Sequence, residues 1–90
     1  MFIIGIDPGK SGAAAFIEDG QLTVVRKFDS NIDRCRNLAS CSPDAFFIER
    51  VTASPQMGVV SAFTFGKWAE SVECAAVVSG APLYMVRPQV

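Results

Sequence analysis

Apolar positions recur along this chain in short dense runs, in alternation and at helical spacing, and each rhythm predicts a different element. Residues 2–7 open with Phe2, Ile3 and Ile4, apolar at successive positions, and stop at Pro8-Gly9. Such a run predicts a central strand covered on both faces. Residues 12–18 predict a second strand, with the small Ala13, Ala14 and Ala15 where something packs close. Asp19-Gly20 is the strongest short hairpin signal in the chain. Beyond it, residues 21–28 predict a third strand, Leu22 and Val24 alternating with Thr23 and Val25.

Ser30 then reads as a helix N-cap, with Asp33 three residues later in the place of a capping-box acid. Ile32, Cys35, Leu38 and Ala39 fall at helical spacing, so a short helix runs to about Ser40. Ser42-Pro43-Asp44 breaks it, and residues 45–49 predict a fourth strand. Residues 51–57 form a polar, proline-containing loop. Residues 58–79 predict a long helix closed by Gly80-Ala81-Pro82, and residues 83–86 a fifth strand. The order is βββαβαβ, an α/β class with a mixed sheet whose last strands run parallel to the first. No repeat or linker divides the chain, so residues 1–90 read as one domain.

Composition sharpens this picture. Half of the 90 residues are hydrophobic and mean hydropathy is positive, which excludes a disordered chain. A chain this short buries only roughly 60–65% of its unfolded surface, yet this one carries seven Phe, one Trp and one Tyr. It is expected to oligomerise or to be part of a larger fold. Eight Lys plus Arg face nine Asp plus Glu, so bulk attraction to nucleic acid or anionic membrane is absent and any such binding needs a local patch. There is no His, which excludes Ser-His-Asp and Cys-His chemistry and leaves carboxylates, lysine or thiols. Cys35, Cys41 and Cys74 form no CxxC pair and read as small buried hydrophobes in a reducing compartment. Met1 leads into Phe2-Ile3-Ile4 without a basic region, so no signal peptide is expected. The weakly charged run over 57–78 carries Lys67, Glu70 and Glu73, which argues against a membrane span.

Two carboxylates fall at the ends of predicted buried strands, Asp7 after Ile6 and Glu49 after Ile48. Strand ends are where an open α/β sheet presents its ligand-binding residues. Were these strands parallel neighbours, the two acids would lie roughly 5 Å apart. Acids that close repel unless a cation lies between them, and a hard divalent cation prefers oxygen ligands. The alternative is that Asp7 starts an Asp-Pro-Gly turn while Glu49 pairs with Arg50 or Lys10.

Ile4-Gly5-Ile6-Asp7-Pro8-Gly9-Lys10-Ser11-Gly12, followed by an Ala-rich strand, resembles the opening of RuvC-like Holliday junction resolvases, especially phage-type members, which have the ribonuclease H-like fold. Phe47-Ile48-Glu49-Arg50-Val51 is similar to the family's second acidic strand end. Residues 61–67 resemble the start of its long helix, and residues 86–90 its fifth strand. The resemblance implies a metal-dependent, structure-selective endonuclease that cuts branched DNA in recombination and repair, leaving a 5′-phosphate and a 3′-hydroxyl. Two Mg2+ or Mn2+ ions roughly 4 Å apart would flank the scissile phosphate. Asp7 matches the acid shared by both metals and Glu49 the second acid. Lys10 and Arg50 adjoin these acids and are candidates for holding DNA phosphates. Gln56, in the loop after Glu49, is a candidate for reaching into a junction. The expected setting is the cytoplasm of a bacterial or phage-infected cell.

The family completes its site with further acids on a helix after the fifth strand, and the sequence stops at Val90 before any such helix. Glu70 and Glu73 read instead as a solvated stripe, Glu70 beside Lys67. A site of two carboxylates is expected to bind metal weakly and to cleave poorly, and an apolar surface is expected beside the fifth strand. The helix at 58–79 is apolar around most of its circumference, which predicts burial on two sides; the resemblance implies a homodimer through it. Arg26, Lys27, Arg34 and Arg36 read as solvated polar faces. Two other readings stay open. One is a non-catalytic dimeric DNA-binding remnant; the other is a nucleotide-binding module of the actin-like or sugar-kinase type, with residues 7–12 cradling phosphate.

Overall fold

The computed structural model describes residues 1–8, 12–28, 30–49 and 59–87. Their order is β1 (Phe2–Ile6), β2 (Ala13–Glu18), β3 (Gln21–Lys27), α1 (Asn31–Ala39), β4 (Ala45–Glu49), α2 (Val59–Ser79) and β5 (Leu83–Val86). The βββαβαβ order expected from the pattern is therefore the observed one.

Local chemistry sets the boundaries. Asp19 and Gly20 both adopt positive φ, 50° and 80°, the geometry a two-residue hairpin turn requires between β2 and β3. Ser30 is extended and its hydroxyl accepts the Asp33 backbone N–H at 3.1 Å, capping α1. Asp33 itself takes a hydrogen bond from the Asn37 side-chain amide at 2.9 Å, one turn on. Gly80, at φ 82°, ends α2 in the left-handed conformation that glycine tolerates.

The five strands form one sheet in the order β3-β2-β1-β4-β5. The meander β1-β2-β3 is antiparallel, whereas β4 joins β1 in parallel and β5 joins β4 in parallel. Both parallel joins are helical crossovers, through α1 and α2. The start of β1 is tied to the approach to β4 by Asp44, whose N–H donates to the Phe2 carbonyl and whose carboxylate accepts the Phe2 N–H, each at 2.7 Å.

Both helices pack on the same face of the sheet. Ile4 and Ile6 from β1, Phe46 and Ile48 from β4, Leu38 from α1, and Val72, Ala75 and Ala76 from α2 form one buried cluster. Here the structure departs from the expected double cover of β1. The strand is central, but among the described residues the face bearing Ile3 and Gly5 has no helix over it, and both are only partly buried. Residues of that face stay open in the flanking strands: Leu22, Val25, Phe47, Tyr84 and Val86 are all exposed. The apolar surface expected beside β5 is thus present, with the Phe47 and Tyr84 rings stacked at 5.3 Å between centroids.

Two further readings change. The alternation expected for β3 is interrupted by a register shift opposite Phe16 and Ile17, where Phe16 pairs with Val24 and Ile17 with Leu22. The intervening Thr23 donates its hydroxyl to the Phe16 carbonyl at 3.0 Å. Of the three cysteines expected to be buried, Cys35 and Cys41 are half-buried, but Cys74 lies exposed on α2 with its thiol 3.7 Å from a Glu70 carboxylate oxygen.

Candidate functional site at the ends of the first and fourth strands

Asp7 precedes Pro8, and a residue before proline is held extended by clash with the proline ring. It therefore continues the direction of β1 by one residue. Its N–H donates to the Ala13 carbonyl at 3.0 Å, one more rung between β1 and β2. Glu49 is the last residue of β4 and pairs across to Val86 of β5. The β1–β4 register couples Ile6 with Ile48, so Asp7 and Glu49 come next, side by side at the ends of parallel strands about 4.8 Å apart.

Alternation decides the face on which they stand. Ile6 and Ile48 turn toward the helices, which assigns the next positions to the open face with Gly5 and Phe47. Asp7 is exposed and Glu49 half-buried. Two adjacent carboxylates on a partly desolvated surface repel one another, and a hard cation between them turns that repulsion into ligation. The donor set, oxygen only and open to solvent, fits a divalent cation such as Mg2+ or Mn2+ held by Asp7 and Glu49. Among the described residues no group of three or more His, Cys, Asp or Glu lies close enough to hold a metal. Glu70 and Glu73 on α2 do not join the pair; Glu70 and Lys67 are exposed, as expected of a solvated stripe, whereas Glu73 is half-buried.

Lys10, Arg50 and Gln56, the residues expected to contact DNA, lie outside the described residues, as does the rest of the 51–57 loop. The expectation for Arg34 is overturned. Expected on a solvated face of α1, it is 1% exposed, the largest fully buried side chain among the described residues. Its Nη1 donates to the Pro8 carbonyl at 3.0 Å, directly after Asp7. Its guanidinium carbon lies 5.7 Å from the centre of the Phe28 ring, which Arg26 also approaches, at 5.8 Å. Burial pushes the Arg34 guanidinium below its ordinary pKa, and Asp7 is among the groups acting the other way. The sequence does carry a signal for this. Arg34 precedes Leu38 by one turn, on the stripe that faces the sheet, whereas Ile32, expected on that stripe, is 66% exposed.

A mixed sheet in this strand order, with two carboxylates at adjacent parallel strand ends, defines a ribonuclease H-like architecture. No protein-family model matches the chain, and no curated protein matches it in sequence. Solved structures do. The chain superimposes on Thermus thermophilus RuvC in complex with a Holliday junction substrate with a TM-score of 0.73 and 21% identity, covering 98% of this chain and 65% of that one. A second RuvC structure from the same organism gives a TM-score of 0.58 and 24% identity, covering 98% and 64%. The fold is RuvC-like, and the chain spans a little under two thirds of the length of the RuvC chains it matches. Among the described residues no helix is long and apolar enough to cross a membrane.

Proposed function

We propose that this chain is the scaffold of a divalent-metal-dependent, structure-selective endonuclease for branched DNA, with Asp7 and Glu49 as metal ligands and catalytic acids. The observation that carries this reading is the parallel pairing of β1 with β4, which brings two carboxylates together at strand ends of a RuvC-like fold. The RuvC it resembles was solved with a Holliday junction substrate, which supports branched DNA as the substrate class. When bound, Mg2+ or Mn2+ supplies an activated water and charge for the leaving oxygen. The chain's own residues hold and orient that charge: Asp7 from the proline-locked end of β1, and Glu49 from the neighbouring strand. Lys10 and Arg50 hold the flanking phosphates, and Gln56 reaches the branch point.

Two carboxylates make a weak site, so the chain by itself binds a four-way junction and cleaves it slowly or not at all. Any Mn2+-dependent cleavage of a labelled four-way junction is expected to vanish in Asp7→Asn. Absence of both Mn2+ binding and preference for a junction over linear duplex would sink the reading.

A second reading, favoured by the exposed apolar residues of the open sheet face and of α2, is a non-catalytic DNA-binding dimer. Junction binding indifferent to EDTA would select it. The exposed Val77 and Val78 of α2 support the homodimer expected through this helix. Light scattering at micromolar concentration is expected to give twice the chain mass, and a monomeric mass counts against the dimer.

A further inference from the structure

The Asp7–Pro8 strand end is gripped from two sides. From β2, the Ala13 carbonyl accepts the Asp7 N–H at 3.0 Å; from α1, the Arg34 Nη1 donates to the Pro8 carbonyl, also at 3.0 Å. Pro8 is itself fully buried. A proline has no N–H with which to continue the ladder, so the chain beyond Asp7 takes its direction from other contacts.

Arg34 is an expensive way to make such a contact. Desolvating a guanidinium carries a large penalty before compensation, and where packing alone is needed a methionine or leucine fills similar space without it. What a buried guanidinium adds is a rigid fork of donors at fixed height and a positive charge that stays put. Here that charge lies beneath the β1 terminus, on the helix-covered side. The two carboxylate positions belong to the opposite, open side. A lysine on the open side would neutralise the acids by occupying the place of a cation. Arg34 acts from behind and leaves that place clear.

We infer that Arg34 is a positioning residue, which fixes the Asp7–Pro8 strand end through the Pro8 carbonyl and thereby aims the Asp7 carboxylate beside Glu49. The metal-binding part of this inference rests on Asp7 and Glu49 being metal ligands; the backbone part does not.

The test compares Arg34→Met, Arg34→Lys and Leu38→Ala. Leu38, one turn along the same buried stripe, makes a packing control. The first readout is hydrogen exchange of the Asp7 amide relative to Ile4 in metal-free protein. The second is Mn2+ affinity by electron paramagnetic resonance. Arg34→Met is expected to lose Asp7 protection selectively and to weaken Mn2+ binding by about tenfold, the lower end of what losing a residue that orients a metal ligand does to affinity. Arg34→Lys is expected to recover part of both, and Leu38→Ala to lower stability while leaving the exchange ratio and the Mn2+ affinity at wild-type values. Should Arg34→Met fail to fold, Arg34→Lys decides: intermediate values support the inference, and wild-type values on both readouts overturn it. A folded Arg34→Met that behaves like Leu38→Ala also overturns it. If the wild-type chain binds no Mn2+, the ligand assignment fails, and selective loss of Asp7 protection still decides the role of Arg34.

Discussion

The two faces of this sheet are built from the same strands, yet they have met different fates. On the helix side, Ile4, Phe46 and Ile48 are at most 1% exposed and interlock with Leu38, Val72 and Ala76. On the other side, Phe47, the immediate neighbour of Phe46 and Ile48 along β4, and Tyr84, its cross-strand partner on β5, remain 36% and 53% exposed. Hydropathy does not distinguish the faces; cover does. The side that carries the candidate site is the one still open among the described residues. Under the proposed function a metal and a DNA backbone would need access to the carboxylates, whereas the apolar residues around them need shielding from water. The open face meets the first demand and leaves the second unmet.

The sharpest way to break this comparison is to delete matching rings from the two faces. Phe46→Ala removes a fully buried ring and is expected to cost about 3–5 kcal/mol in a urea titration. For a domain of this size that is a large part of the total stability, on the order of 5–13 kcal/mol at typical values per residue. Phe47→Ala, one residue later, removes a ring stacked on Tyr84 but half in water, and about 1 kcal/mol is expected. Equal losses would mean that the open face is covered in solution, by a second copy or otherwise.

How much of this was legible in the sequence depends on which signal each feature obeys. The hairpin at Asp19-Gly20, the Ser30 cap and the stop at Gly80 are local chemistry, and each stands where that chemistry requires. The pairing of β1 with β4 is non-local, but βαβ connectivity leaves few alternatives, so the neighbourhood of Asp7 and Glu49 is legible in the order of the elements. Arg34 carries only the weaker signal of its place one turn before Leu38. A charged residue on a nine-residue helix reads as solvated unless something is known to lie beneath it, and the Pro8 carbonyl is 26 positions away. One position of the helical stripe is exchanged for the same reason: Ile32 reads as core and Arg34 as surface, and tertiary contacts reverse them, while Cys35, Leu38 and Ala39 pack where the spacing puts them. In β3 the fault lay in the rhythm itself, because period-two alternation has no place for the register shift opposite Phe16 and Ile17. The double cover expected for β1 rested on apolarity alone, which measures a strand's need for shielding and not the presence of a helix that supplies it.

The smallest expected effect is the most diagnostic for the site. In metal-free protein Glu49→Gln removes one of two like charges at adjacent strand positions, and such pairs destabilise by roughly 0.2–1 kcal/mol. The variant is therefore expected to melt slightly higher than wild type in EDTA. With millimolar Mn2+ the order should invert, because ligand binding stabilises only the chain that keeps both carboxylates. The crossing of the two melting temperatures with added metal is the signature, and it needs neither catalysis nor DNA. A Glu49→Gln variant that melts below wild type in both conditions would instead assign Glu49 to a structural ion pair, with Arg50 or Lys10 as its partner. Asp7 would then be left as a turn-forming residue, and the difference between the two faces would concern packing alone.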